Sequence, residues 1–348
     1  NVSKTHELGI FGRGHAQYID LTPGKTLDNA YSGNVIDICP VGALTEKDFR
    51  FKVRVWYLDG TDSICPNCAR GCSISVHTNV KRPWHNEGRR VARIKPRYNP
   101  DVNGYWLCDE GRFGFKHLDE DRLGRVMRLK PSRRELSWEN LFEELSAALK
   151  KHITEKGGKG LAVIASGALS NEDWTAFKSF FVDTLKAPRL LFAPEPDQVG
   201  AEDELLRRRE KVPNLKGGEA LGFGAKIKSA SWENLAKEIE AGKIWGLYVI
   251  DRDLTKIWNG KAASLLKKMD LVIYQGPHKN GTGDLVHYRL PATAYTEEEG
   301  HFTNFSGKVQ AYEQALKPLG QARPDWSIFS GLQELFLAGS PIKEAALR

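Results

Sequence analysis

Cys65-Pro66-Asn67-Cys68-Ala69-Arg70-Gly71-Cys72 sets three sulfurs in one short loop, and Cys108 adds a fourth after 35 intervening residues. A loop of this kind curls three thiolates around one side of a metal centre while a later segment closes the other side. Iron–sulfur clusters take four such ligands. Zinc is the alternative, but zinc ribbons usually present two C-x2-C knuckles, one per hairpin. Here the second half offers a single cysteine. The chain has five cysteines and none after residue 108. An odd, crowded set argues against a disulfide framework.

The fifth, Cys39, stands in Asp37-Ile38-Cys39-Pro40-Val41-Gly42-Ala43-Leu44. In bacterial ferredoxins a cysteine before proline ligates a cluster whose other ligands lie elsewhere. Proline removes one N–H, and Val-Gly-Ala is small enough to let backbone approach sulfide. Taken by itself, Cys39 reads first as a lone buried thiol, because free cysteine is often buried.

The rest of the chain is ordinary in composition. It has 348 residues, 41% hydrophobic and 27% charged, which suits two or three globular domains without disulfide staples. No apolar run approaches the roughly 20 residues that span a bilayer. The formal net charge is +7. That surplus is compatible with nucleic acid, an anionic membrane face or an acidic partner. The basic residues are scattered, however, in short runs such as Arg207-Arg208-Arg209 and Lys267-Lys268. They read as a solvated face, and no nucleic-acid reader motif contains them. The chain opens Asn1-Val2-Ser3 and its only methionines are Met127 and Met269. The expectation is a processed chain or a piece of a longer one.

Residues 1–50 are Gly-rich and predict no regular structure. Residues 51–58 alternate and predict a strand, with further strands over 73–80 and 90–95 around the cysteine loop. This gives a small β-rich module over 51–117. From 118 the pattern changes. Ser137 is placed to cap a helix to about 153, with Leu141, Leu145, Leu149 and Ile153 on one face. Apolar strands are predicted at 161–166, 189–192, 245–250 and 271–275, and another at 287–291. Helices are predicted after Ser170 and over 232–241, 260–268 and 324–337. Such alternation is the signature of an α/β domain with a mostly parallel, doubly wound sheet covered on both faces.

Other motifs are weak. The glycines at 217, 218, 222 and 224 do not follow a strand in the dinucleotide manner, and no phosphate loop is present. Glu297-Glu298-Glu299 reads as a turn with solvated acids. His77 and His117 flank the cysteine module and read as packing residues. No catalytic residue is predicted.

Several stretches nevertheless carry a recognisable pattern. They are Glu7-Leu8-Gly9-Ile10-Phe11-Gly12-Arg13-Gly14, Leu27-Asp28-Asn29, and Ser32 through Thr45 around Cys39. Phe49 through Trp56, the Cys65–Cys72 loop and Trp106-Leu107-Cys108-Asp109-Glu110-Gly111-Arg112-Phe113 continue it. Together they closely resemble the large iron–sulfur subunit of bacterial respiratory complex I, the NADH:quinone oxidoreductase. Later stretches (Leu290-Pro291-Ala292-Thr293, Glu299-Gly300, Gly307-Lys308-Val309-Gln310, Asp325-Trp326) resemble molybdopterin oxidoreductases at large.

The resemblance implies an electron-transfer subunit that carries electrons from an NADH/flavin site toward quinone. It implies Cys39 as ligand to a [4Fe–4S] cluster whose other ligands lie upstream of Asn1. It implies Cys65, Cys68, Cys72 and Cys108 as ligands to a second [4Fe–4S] cluster. Residues 1–50 would be the end of a ferredoxin-like domain, 51–117 the second cluster module, and 118–348 a truncated, cofactor-free α/β domain. The implied partners are the flavin/NADH-binding and quinone-proximal iron–sulfur subunits, with no nucleic acid. The implied place is peripheral, on the cytoplasmic side of the inner membrane. Departures from the pattern argue against a molybdopterin: Glu110 stands where a lysine is usual, His301 follows Gly300, and no cysteine remains for molybdenum. A fragment of a molybdenum or tungsten oxidoreductase, such as a formate dehydrogenase, is the alternative, and a zinc-stabilised module is a third.

Overall fold

The computed structural model describes residues 2–187, 189–191, 200–224 and 231–338. The N-terminal part, expected to be irregular, holds a hairpin of β1 (Leu8–Phe11) and β2 (Tyr18–Leu21), then a short helix α1 (Asn34–Ile38) ending at Cys39. The hairpin eluded the sequence reading because Ile10, Ile19 and Leu21 are exposed. No buried face imposes an alternation there.

The β-rich module is a three-stranded antiparallel sheet of β3 (Asp59–Ile64), β4 (Ser73–Thr78) and β5 (Val91–Pro96). The strand expected over 51–58 is absent. In its place stand turns and a single 3-10 turn, Val55–Tyr57. Phe51 and Trp56 are 86% and 71% exposed, so the alternation there does not face a core. The true first strand is polar, Asp59-Gly60-Thr61-Asp62-Ser63-Ile64, and is held by its ladder to β4. Helix α2 (Asp109–Phe113) follows Cys108.

The larger part is a seven-stranded sheet. In chain order its strands are β6 (Met127–Arg128), β7 (Arg134–Glu135), β8 (Leu161–Ile164), β9 (Arg189–Leu191), β10 (Gly246–Ile250), β11 (Leu271–Gly276) and β12 (Tyr288–Pro291). The last residue of the strand expected over 189–192 lies outside the described residues. Their spatial order is β7-β6-β12-β11-β10-β8-β9. The five strands from β12 to β9 run parallel, and β6 and β7 add an antiparallel edge. Burial on both faces explains the continuous apolar runs. Leu161, Val163, Tyr248, Ile250 and Ile273 pack into one core, with α3 (Trp138–Lys156), α4 (Asn171–Phe177) and the closing helix Asp325–Ala338. Ala162, Ile164, Leu247, Val249, Val272 and Tyr274 pack into the other. Short helices at Trp232–Glu240, Leu254–Ile257 and Ala262–Leu266 cover that second face. The expected caps are in place: Ser137 accepts from the Asn140 amide, and Ser170 forms a capping box with Asp173. The fold class is α/β, as read. A second hairpin, β13 (Gly300–Thr303) with β14 (Val309–Tyr312), was not foreseen; β14 packs beside β3. Among the described residues no helix is long and apolar enough to cross a membrane.

Candidate metal centre

The cysteine loop is the connection between β3 and β4. The ladder runs to Ile64 and Ser73, and the Cys65 amide extends it by donating to the Cys72 carbonyl at 2.8 Å. Gly71, at φ +64°, makes the reversal, a conformation a side chain rarely adopts. Arg70 Nε donates to the Val102 carbonyl at 2.8 Å, tying the loop to the segment that leads to Cys108. Cys108 caps α2, and its Sγ accepts from the Gly111 amide at 3.4 Å. Gly111 is required by space. A Cβ there would lie 2.9 Å from Leu107 Cδ1 and 3.1 Å from Cys65 Sγ. Glycine thus brings the helix start against the loop, and Cys108 to Cys65.

Cys65, Cys68, Cys72 and Cys108 are all buried. Burial pushes the Cys65 thiol well up, and the neighbouring Cys72, Cys108 and Cys68 push it further. Burial likewise raises Cys72, where Cys68 and Cys108 add and Arg70 subtracts, and it raises Cys108 to about 11. The four groups therefore lie within electrostatic reach of one another. Among the described residues, no group of three or more His, Cys, Asp or Glu side chains stands arranged to hold a metal ion. A [4Fe–4S] cluster takes four thiolates, one to each iron. Four buried thiols that repel one another as anions fit a cationic iron core.

Cys39 lies apart from this group. It ends α1, and the backbone N–H of Leu44 holds its thiol below the usual range, helped by those of Ala43, Val41 and Gly42 against the effect of burial. The residues after Pro40 thus form a nest of amides around the sulfur. Cys39 is half-buried and opens into an apolar groove of about 820 Å³ with Leu8, Ile10, Ile19, Ile38 and Val41. Among the described residues, no other cysteine, and no His, Asp or Glu, lines that groove to act as a second ligand.

Helices α1 and α2 are locked together. Asp109 accepts from Ser32 Oγ at 2.5 Å and from the Gly33 amide at 2.9 Å, and its own amide donates to the Ala30 carbonyl at 2.8 Å. The buried Arg112 pairs with Asp37.

A segment of the α/β domain straps the cysteine loop from the other side. The Ala69 amide donates to the Glu210 carbonyl at 2.9 Å, and Lys211 Nζ meets Glu110 at 2.6 Å. Tyr31 donates to Asp203 at 2.7 Å and accepts from the amides of Leu206 and Arg207. Arg207 pairs with Asp203 at 2.7 Å, and the Arg208 guanidinium lies 4.1 Å from the Phe305 ring centre. Arg207 and Arg208 are therefore interface residues, not the solvated face expected, while Arg209 is exposed. Glu110, which stands where a lysine is usual, is met by Lys211 and, at 3.6 Å, by Arg207.

Between the cysteine module and the C-terminal ends of β8, β10 and β11 lies a cavity of about 510 Å³. Pro66, Asn67 and Glu110 line one side, and Asp251, Glu298 and Asp325 the other. Burial raises Asp251 to about 6 and pushes Glu298 and Asp325 further. The reading of 297–299 as solvated acids holds for the exposed Glu299 and fails for Glu297 and for Glu298, which lines the cavity. Glu297 is buried and accepts from Arg122 Nη1 at 2.9 Å and pairs with Arg90 at 2.8 Å. Its partners lie far back in the chain, so no local pattern announces them. Asp251 escaped the sequence reading, since it is a single acid at the end of an apolar run, and Asp325 entered it only as part of a family pattern.

Three family models match the chain in order. Residues 1–45 match the NADH-quinone oxidoreductase subunit 3 ferredoxin-like domain, 59–120 the molybdopterin oxidoreductase Fe4S4 domain, and 204–335 molybdopterin oxidoreductase. Cys39 lies in the first, and the other four cysteines lie in the second. The chain is thus similar, in order, to two iron–sulfur domains and to an α/β domain of molybdopterin-oxidoreductase type. The relatives it matches are subunits of NADH-quinone and NADH-ubiquinone oxidoreductases. The mitochondrial NADH dehydrogenase [ubiquinone] iron-sulfur protein 1 of Solanum tuberosum is 27% identical over 98% of this chain and 60% of its own length. The NADH-ubiquinone oxidoreductase 75 kDa subunit of Reclinomonas americana is 24% identical over 96% and 65%. NADH-quinone oxidoreductase subunit 3 of Thermus thermophilus is 36% identical over 48% of this chain and 21% of its own. The chain spans about 60–65% of the length of the curated relatives it matches end to end. Among solved structures, acetylene hydratase from Pelobacter acetylenicus aligns with 79% of this chain and 69% of its own at a TM-score of 0.48 and 11% identity.

Proposed function

We propose that this chain is an electron-carrying iron–sulfur part of an NADH:quinone oxidoreductase. The observation that carries the reading is the burial of Cys65, Cys68, Cys72 and Cys108 within electrostatic reach of one another, inside a segment that matches an Fe4S4 domain. These four hold one [4Fe–4S] cluster. Cys39 supplies one ligand of a second, whose remaining ligands come from outside the residues in hand. Such a protein needs no acid, base or nucleophile. It supplies position, burial and amide donors, and the clusters change charge by one electron. Electrons would pass from a flavin/NADH-binding subunit toward a quinone-proximal iron–sulfur subunit, with the Cys39 cluster on that route. The chain would reach the membrane only through those partners, on its cytoplasmic side.

The α/β domain, over about 118–348, binds no molybdopterin in this reading. The residues present do not fit that group. No cysteine is left over for molybdenum, and among the described residues the cavity offers an anionic pterin phosphate one lysine, Lys211, which is already paired with Glu110. The domain instead packs over the cluster module.

Anaerobic loading of the full chain with iron and sulfide, followed by metal, sulfide and EPR analysis, is the test. The reading expects about four irons and four sulfides per chain and a reduced-state cluster signal. Stoichiometric zinc without sulfide would overturn it. Pterin recovered from protein isolated from its native source would restore the molybdenum alternative.

A further inference from the structure

The three-stranded sheet turns Ile74, Val76 and Ile94 into a core. The cross-strand pairs His77–Arg93 and Ser75–Lys95 therefore lie on its other face. Between that face and the segment after α1 runs a cleft of about 530 Å³. Cys39 stands in the wall this cleft shares with the apolar groove, but the two spaces differ in character. Arg50, Arg54, Arg93, Lys95 and Arg112 line the cleft against only two carboxyls, Asp37 and Glu46, a surplus of three positive charges. Lys95 and Arg112 both pair with Asp37. Among the described residues the other three cations form no ion pair. Arg50 Nη1 donates to Thr45 Oγ1 at 3.3 Å, and Arg93 Nε donates to His77 Nδ1 at 3.2 Å. Arg50 also lies 4.7 Å from the Phe51 ring centre, and Arg54 5.9 Å from that of Trp56. The neighbouring His77 feels the field: burial, Arg93 and Lys95 push its imidazole down to about 4. Burial lowers Arg93 itself, and Arg112 adds to this against the pull of Glu46 and Asp37. A partly buried guanidinium without a matching anion is costly, and an anionic ligand relieves it.

We propose that this cleft binds a phosphorylated ligand of nucleotide size, with its phosphates on Arg50, Arg54 and Arg93 and its ring on Trp56 and Phe51. The site stands whether or not the cysteines hold iron. Its surplus charge suits a nucleoside diphosphate, and guanidinium forks pair with phosphate oxygens two at a time. Small-ligand sites typically enclose about 300–1,000 Å³. The volume here takes one mononucleotide, whereas an extended acidic polypeptide needs no such enclosure. Trp56 and Phe51 are exposed and line the same cleft, as platforms on which a base can stack.

The test is equilibrium dialysis of the full chain at low salt and pH 8, with ADP as the probe and adenosine, pyrophosphate and poly-glutamate as comparisons. A single saturable ADP site is expected, tighter than that for pyrophosphate and far tighter than that for adenosine. Arg50→Gln combined with Arg54→Gln should weaken ADP roughly tenfold. Both arginines are exposed, so the fold should survive their loss. Trp56→Ala should weaken ADP several-fold and leave pyrophosphate unchanged. Glu46→Gln removes the carboxyl of the cleft that forms no ion pair and should tighten ADP roughly threefold, a gain that misfolding does not produce. No saturable ADP binding, or a site that ignores all of these changes, overturns the proposal. Pyrophosphate bound as tightly as ADP also overturns it and marks an adventitious polyanion site. Poly-glutamate bound where ADP is not assigns the cleft to an acidic polypeptide and overturns it as well.

Discussion

Asn34 and Leu107 meet twice. Asn34 Nδ2 donates to the Leu107 carbonyl at 2.8 Å, and the Leu107 amide donates back to Asn34 Oδ1 at 3.1 Å. Both residues are buried, so one side-chain amide completes the backbone of the residue just before Cys108. Asn34 also opens the helix that ends at Cys39. Asn34→Leu leaves two buried backbone groups unmet and should cost about 2–4 kcal/mol. Chemical denaturation measures the loss, and hydrogen exchange at the Leu107 amide should accelerate.

Cys68→Ser should abolish the four-iron cluster, with iron per chain and the associated EPR signal lost together. Because the cluster also ties β3, β4 and α2 to one another, proteolysis within residues 59–113 should speed up. Retention of full iron content by C68S would remove Cys68 from the ligand set.

In metal-free chain the five thiols should react unequally. Cys39 is half-buried, with amides that lower its pKa, whereas burial raises Cys65, Cys72 and Cys108. Reactivity follows the thiolate fraction and access. At pH 8, iodoacetamide should label Cys39 first, as peptide mass spectrometry would show. Denaturant should erase the difference.

Glu297→Gln leaves Arg122 buried beside a neutral amide and should cost about 3–5 kcal/mol, as breaking a buried ion pair commonly does. The loss should appear as a lowered denaturation midpoint at neutral pH.

Asp251 has its acid raised from 3.8 to about 6 by burial. The folded chain therefore holds a proton that the unfolded chain releases, and stability falls as pH climbs from about 4 to 6. Above that window the full cost is present. Asp251→Asn should stabilise the protein at pH 8 by on the order of 1 kcal/mol, with no benefit near pH 4. Melting temperatures of the two proteins at both values check the sign.

How legible all this is from sequence differs by element. β8, β10 and β11 are buried on both faces, so their apolar runs announce them. Ser137 and Ser170 announce their helices because a cap acts on amides two or three residues away. The cysteine loop is legible because ligand spacing is local. β3 is not, since its polar residues are held by a partner strand and not by a core. Phe51–Leu58 misleads because alternation reports a buried face only when something covers it. Glu297 is misread because the arginines that bury it with a partner stand at 90 and 122, and nothing local marks that pairing.

The strap over the cysteine loop has a consequence for separability. In sequence the chain changes character near residue 118, and that looks like a seam. In space, Ala69 is bonded to Glu210, Tyr31 to Asp203, and Glu110 to Lys211. Severing the polypeptide at 118 would follow the seam and still tear a continuous solid. The α/β portion is masonry around the cysteines, and a chain cut back to residue 118 would lose the wall that Asp203, Glu210 and Lys211 provide.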